Sequence, residues 1–104
     1  MLAIIAPGQG SQTPAMLSAW LEDADIRAMA EEISDAIGLD LIRLGTTADA
    51  DEIRDTANAQ PLLLLGALTG AGALFAGNDE AIAVVAGHSV GEIAAATFAK
   101  ILEL

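Results

Sequence analysis

The segment Gly87-His88-Ser89-Val90-Gly91 places one serine between two glycines at G-x-S-x-G spacing, in a chain of 104 residues that is otherwise poor in reactive side chains. A serine there is either a turn or helix-cap residue or a nucleophile. Spacing alone says little, because ordinary glycine and serine usage produces such a match by chance about once in thirty chains of this length. The surroundings say more. The apolar run over residues 81–86 reads as a strand feeding directly into the motif, and a helical pattern leaves it over residues 90–102. A sharp strand-to-helix turn of this kind strains the backbone of its apex residue, and Gly87 and Gly91 supply the room it needs. Such a turn lifts the Ser89 hydroxyl clear of the sheet. It also offers the Val90 N–H and the positive end of a helix dipole to a developing oxyanion.

A second stretch, "PGQGSQ" at residues 7–12, follows the first apolar run. In a parallel sheet it emerges at the same edge as Ser89, where ligands bind in such folds. Its glycines allow close approach of the backbone, and the Gln9 N–H is a candidate second oxyanion donor. An ordinary glycine-rich turn between strand and helix is the alternative. His88 invites the role of general base, but it directly precedes Ser89 in a tight turn, so its ring is expected to diverge from its neighbour's hydroxyl.

These groups need a scaffold, and the order of elements suggests one. Residues 2–6 form a short apolar run closed by Pro7-Gly8, which reads as a buried strand. A short helix is expected over residues 14–21 and a longer one over residues 25–37, with Gly38 as its stop. The polar segment at residues 46–56 supplies caps and a short acidic helix. Pro61 then suits the first turn of a long apolar helix reaching Phe75, whose Gly66, Gly70 and Gly72 require packing on more than one side. A turn at "GNDE" leads to the second strand. Strand, helices, strand, helix is the order of a parallel α/β sheet.

Composition narrows the function classes. Fifteen acidic residues stand against four basic ones, for a formal charge of -11. Nucleic acid is excluded as a partner, since phosphate binding needs clustered lysine and arginine. No basic amphipathic stretch suits an anionic membrane surface, and the apolar N-terminal run is too short for a signal peptide or a span. The absence of cysteine removes disulfides, thiolate catalysis and cysteine-based zinc sites, so no metal is assigned and the expected location is cytoplasmic. With hydrophobic residues at 54% and aromatic ones at 3%, the core must be built from Ala, Leu, Ile and Val, with Trp20, Phe75 and Phe98 as its only rings.

Taken together, "PGQGSQ", "NAQPLLLL" at residues 58–65 and "GHSVGE" at residues 87–92 resemble the malonyl-CoA:acyl carrier protein transacylases and the related acyltransferase domains of fatty acid and polyketide synthases. The resemblance runs over the whole chain. It implies an α/β-hydrolase-like large subdomain with a nucleophile elbow, of which residues 1–104 are the N-terminal segment, and a ferredoxin-like small subdomain that this chain lacks. It implies that Ser89 takes the malonyl group from malonyl-CoA and yields it to the phosphopantetheine thiol of an acyl carrier protein, with no bound cofactor. The Gln9 and Val90 amides match the oxyanion hole. His88 and Gln60 match positions near the substrate, although a cap role for Gln60 is equally open and the family more often has Thr where this chain has Ala59. The family's general base is a downstream histidine and its carboxylate clamp a downstream arginine. The chain is therefore expected to be a fragment or one piece of a divided protein, inactive alone. Its acidic surface would repel an acidic carrier, which places carrier docking mostly on residues after Leu104. Met1, directly before the first strand, favours a free-standing enzyme over a synthase domain. An α/β serine hydrolase, which would use water as acceptor, and a noncatalytic binding fragment are the readings from other classes.

Overall fold

The computed structural model describes residues 2–75 and 82–103. The turn expected at "GNDE" and the expected strand residue Ala81 lie outside them. Two strands, β1 (Leu2–Ala6) and β2 (Ile82–Gly87), pair in parallel, with Ile4 opposite Val85, Ile5 opposite Ala86 and Ala6 opposite Gly87. The register is irregular between Leu2 and Ala3. A parallel pair demands a long crossover, and here it contains four helices: α1 (Ala24–Ile37), α2 (Leu41–Thr46), α3 (Ala50–Arg54) and α4 (Thr56–Phe75). The chain closes with α5 (Gly91–Phe98), which packs against both strands and α4.

Helix boundaries follow from their caps. The Asp23 carboxylate accepts from the N–H groups of Asp25 and Ile26 and starts α1, which ends at Gly38 in the left-handed conformation, φ 69°. Helix α2, which sequence periodicity missed, is opened by the Asp40 carboxylate accepting from the Arg43 N–H. Asp49 opens α3 in the same way through the Glu52 N–H. The Arg43 guanidinium makes a forked pair with the Glu52 carboxylate at 2.8 and 2.6 Å, tying α2 to α3. That pairing holds the Glu52 carboxyl below its ordinary range.

Three expected elements differ. Residues 14–21 do not form a helix: Ala15 sits at φ 61°, and the chain turns through three-residue hydrogen bonds from Met16 to Thr13 and from Ser18 to Ala15. The Leu17 N–H donates to the Gly45 carbonyl instead, and only a single 3-10 turn, Trp20–Glu22, follows. Pro61 is not in the first turn of α4 but at its sixth residue. Asp55 starts the helix a turn earlier, its carboxylate accepting from the Ala57 N–H and its carbonyl from Ala59. The closing helix is shorter than residues 90–102. It stops at Phe98 because Lys100 adopts φ 61° and the Ile101 N–H folds back to the Ala96 carbonyl, the hydrogen-bond pattern of a Schellman stop.

The core lies among the helices rather than on the sheet. Leu17, Leu21, Leu41, Leu44, Ile53, Leu62 and Leu65 are buried together, and no ring is among them. Helix α4 has the length and apolar character of a bilayer span, but its buried residues Leu62 and Leu65 belong to this core. Its C-terminal part is open, with Leu74 75% exposed. The strands, expected to be buried, expose Ile5 (76%) and Val84 (55%), since helices cover only part of a two-stranded sheet.

Candidate active site

The parallel pairing sets the C-terminal ends of β1 and β2 side by side, so the two glycine-rich segments leave the sheet together. The His88 N–H donates to the Ala6 carbonyl at 3.2 Å, extending the ladder one residue past β2. Ser89 comes next, with φ 57°. A left-handed backbone at a residue bearing a side chain costs about 1–2 kcal/mol, and it persists here because both flanks are fixed. The Gly91 N–H donates to the His88 carbonyl at 3.0 Å and the Glu92 N–H to the Ser89 carbonyl at 2.9 Å, starting α5 immediately after the apex.

Glycine is required at three of these positions. A side chain at Gly87 would overlap the Gly91 backbone, and one at Gly91 would overlap the Ala6 carbonyl. At Gly8 a Cβ would stand 2.6 Å from the His88 carbonyl oxygen and 3.1 Å from the Ser89 Cβ. The loop after β1 is therefore pressed onto the serine turn, backbone against backbone. This contact brings Gly8, the residue before Gln9, against Ser89.

Ser89 is exposed, with no hydrogen-bond partner for its hydroxyl among the described residues, while Val90 behind it is buried. Among the described residues, neither the Gln9 N–H nor the Val90 N–H donates to an acceptor in the chain. Two backbone donors without an acceptor among the described residues thus lie in the two segments that the Gly8–Ser89 contact joins.

The structure sorts the other candidates. The His88 ring leans towards the first loop: its Cδ2 would lie 2.9 Å from a Cβ at Gly8, and no hydrogen bond joins the ring to Ser89. Gln60 is the fifth residue of α4, so its expected cap alternative falls; Asp55 is the cap. Gln60 is half-buried and lines an open apolar groove of about 840 Å³ together with Thr56, Leu64, Val90 and Ile93. Ser89 and Val90 follow the end of β2 and Gln9 lies in the loop after the paired β1, while Gln60 shares the groove wall with Val90. Thr56 was not anticipated: its hydroxyl oxygen accepts from the Gln9 side-chain amide at 2.9 Å, and a contact across 47 positions leaves no local signal in a sequence.

Comparison with known proteins supplies the family. Residues 4–103 match the family described as acyl transferase domain. The malonyl CoA-acyl carrier protein transacylase of Mycobacterium tuberculosis is 49% identical, over 98% of this chain and 34% of its own length. Among solved structures, the acyl-carrier-protein S-malonyltransferase of Burkholderia pseudomallei superposes with a TM-score of 0.83 at 40% identity, covering 94% of this chain and 32% of that one. A malonyl-transacylase in complex with its type II PKS acyl-carrier protein gives 0.81 at 32% identity, covering 93% and 32%. The chain spans about a third of the length of the relatives it matches. With an α/β arrangement common to these structures and a family match across nearly all of its residues, the chain belongs to the acyl transferase domain family.

Proposed function

We propose that this chain is the nucleophile-bearing part of a malonyl-CoA:acyl carrier protein transacylase of fatty acid synthesis, with Ser89 at the apex of a nucleophile elbow. The observation that carries the reading is the left-handed Ser89 between β2 and α5, flanked by two N–H groups with no acceptor in the described chain. The names of its relatives supply the substrates.

In this reading the Ser89 oxygen attacks the malonyl thioester carbonyl and its proton passes to a base. The oxyanion receives the Gln9 and Val90 N–H groups, each donor of this type being worth about 3 kcal/mol in the transition state. The carbon–sulfur bond then breaks, and coenzyme A leaves as the thiol with the proton returned from the base. The phosphopantetheine thiol of the carrier attacks the seryl ester in the second half-reaction and restores the Ser89 hydroxyl, a ping-pong course. The chemistry requires no resident cofactor, and malonyl-CoA is the acyl donor. His88 is the only histidine in the chain, its ring lies beside Gly8, and it makes no hydrogen bond to Ser89. We therefore assign base and carboxylate clamp to the part of the longer relatives that this chain does not cover. His88 and Gln60 are proposed to border the substrate, carrier docking is placed mainly beyond residue 104, and the enzyme is placed in the cytoplasm.

The test is competition between acceptors. The complete polypeptide carrying this chain is mixed with labelled malonyl-CoA and an acyl carrier protein bearing its phosphopantetheine arm. Label is expected on the carrier thiol much faster than as free malonate. Release of malonate with the carrier unlabelled would make the protein a hydrolase. Residues 1–104 alone are expected to turn over far below about 1 per second, the lower end of ordinary enzymes, because oxyanion donors without a base leave only residual catalysis.

A further inference from the structure

The hydroxyl of Thr56 is the anchor that the loop after β1 lacks within itself. Gly10, directly after Gln9, has φ 112° and open space where a side chain would stand. The loop's other hydrogen bonds are local: the Gly10 N–H donates to the Gln12 side chain at 2.8 Å, and the Ser11 hydroxyl to the Gly8 carbonyl at 3.0 Å. The bond from the Gln9 side-chain amide to Thr56 Oγ1 is the loop's long-range side-chain tie among the described residues.

Thr56 is free to serve this purpose. It is the first residue of α4, one past the cap position, which Asp55 fills through the Ala57 N–H. Thr56 also lines the groove that Gln60 and Val90 share. The Gln9 residue is thus held at two points, by Gly8 against Ser89 on the backbone side and by Thr56 on the side-chain side. Fixing both ends of one residue fixes the direction of its N–H.

We propose that Thr56 is a positioning residue for acyl transfer, its hydroxyl holding the Gln9 side chain so that the Gln9 N–H points at the oxyanion. The inference rests on the proposed role of Ser89. The net strength of one such hydrogen bond corresponds to a population change of about three- to tenfold, and that sets the expected effect.

In the complete polypeptide, Thr56→Val keeps the β-branched shape and removes the hydroxyl. It is expected to lower kcat for malonyl transfer by about three- to tenfold, with KM for malonyl-CoA changed less than twofold. Thr56→Ser is expected to restore kcat. Gln9→Leu, which removes the donor amide and keeps the backbone N–H, should lower kcat by a similar factor, and the double variant should be no slower than either single one. A wild-type enzyme that acylates Ser89 normally while Thr56→Val keeps full kcat would overturn the inference. So would additive losses in the double variant, or a Thr56→Ser enzyme as slow as Thr56→Val. Failure of wild-type acylation at Ser89 would instead remove the reading on which the inference rests, so the two failures are distinguishable.

Discussion

Replacing Ser89 by alanine is expected to abolish malonyl transfer by the complete polypeptide, with a rate loss of roughly 10⁴-fold or more. No neighbouring side chain can take over the attack. Within the turn, Gly87, Val90 and Gly91 carry no nucleophile, and the adjacent His88 ring, which lies beside Gly8, makes no hydrogen bond to Ser89. The donors Gln9 N–H and Val90 N–H survive the substitution, so binding of malonyl-CoA should be retained while chemistry is lost. Steady-state transfer and a binding titration on the same variant read the two effects separately. Stability should not fall, because alanine at φ 57° carries the same backbone strain as serine and Ser89 contributes no side-chain hydrogen bond to the described structure. A Ser89→Ala enzyme that keeps more than about a hundredth of the wild-type rate would be incompatible with serine as nucleophile.

The second large effect is structural. Gly91→Ala is expected to destabilise the protein at or above the upper end of the about 1–3 kcal/mol that overpacking costs, and to remove activity with it. The added methyl would overlap the Ala6 carbonyl and stand 2.7 Å from the Pro7 carbonyl oxygen. These are backbone atoms of the strand end and the first loop, so no rotamer change relieves the contact. Relief requires α5 to move off the sheet edge, which separates Ser89 from Gln9. Gly72→Ala provides the contrast. It lies in α4 with nothing within 4 Å of the added carbon, and in a helix interior the change should stabilise by about 0.5–1 kcal/mol. Urea unfolding of both variants measures the difference. Equal stabilities would show that the contact of loop and turn is not tight.

The strand, turn and helix around the candidate Ser89 could be read from the chain because their requirements are local. A serine between Gly87 and Gly91, an apolar run before it and a helical pattern after it together specify a strand, a turn and a helix, and each of these is satisfied within a few residues. The same holds for α1, whose start at Asp23 and stop at Gly38 are local hydrogen-bond arrangements. What could not be read depends on partners distant in sequence. Residues 14–21 have the pattern of a helix, yet the Gly45 carbonyl claims the Leu17 N–H. The short distance between Leu17 and Gly45, where any added methyl would strike the Leu17 side chain, also shapes the core. Pro61 suggested a helix start by its own preference, but the cap at Asp55 decided it. The Gln9 to Thr56 bond is of the same kind, since it exists only after the crossover has brought α4 back to the sheet edge.

If the proposed reaction holds, the malonyl group resides on Ser89 between donor and acceptor. Brief mixing of the complete polypeptide with malonyl-CoA in the absence of carrier protein, followed by acid quenching, proteolysis and mass spectrometry, tests it most directly. One malonyl group per chain is expected, mapped to the peptide containing Ser89, and it should disappear when carrier protein is added before the quench. A malonyl group mapped to any other residue, or transfer to the carrier with no adduct on the protein at any mixing time, would contradict it.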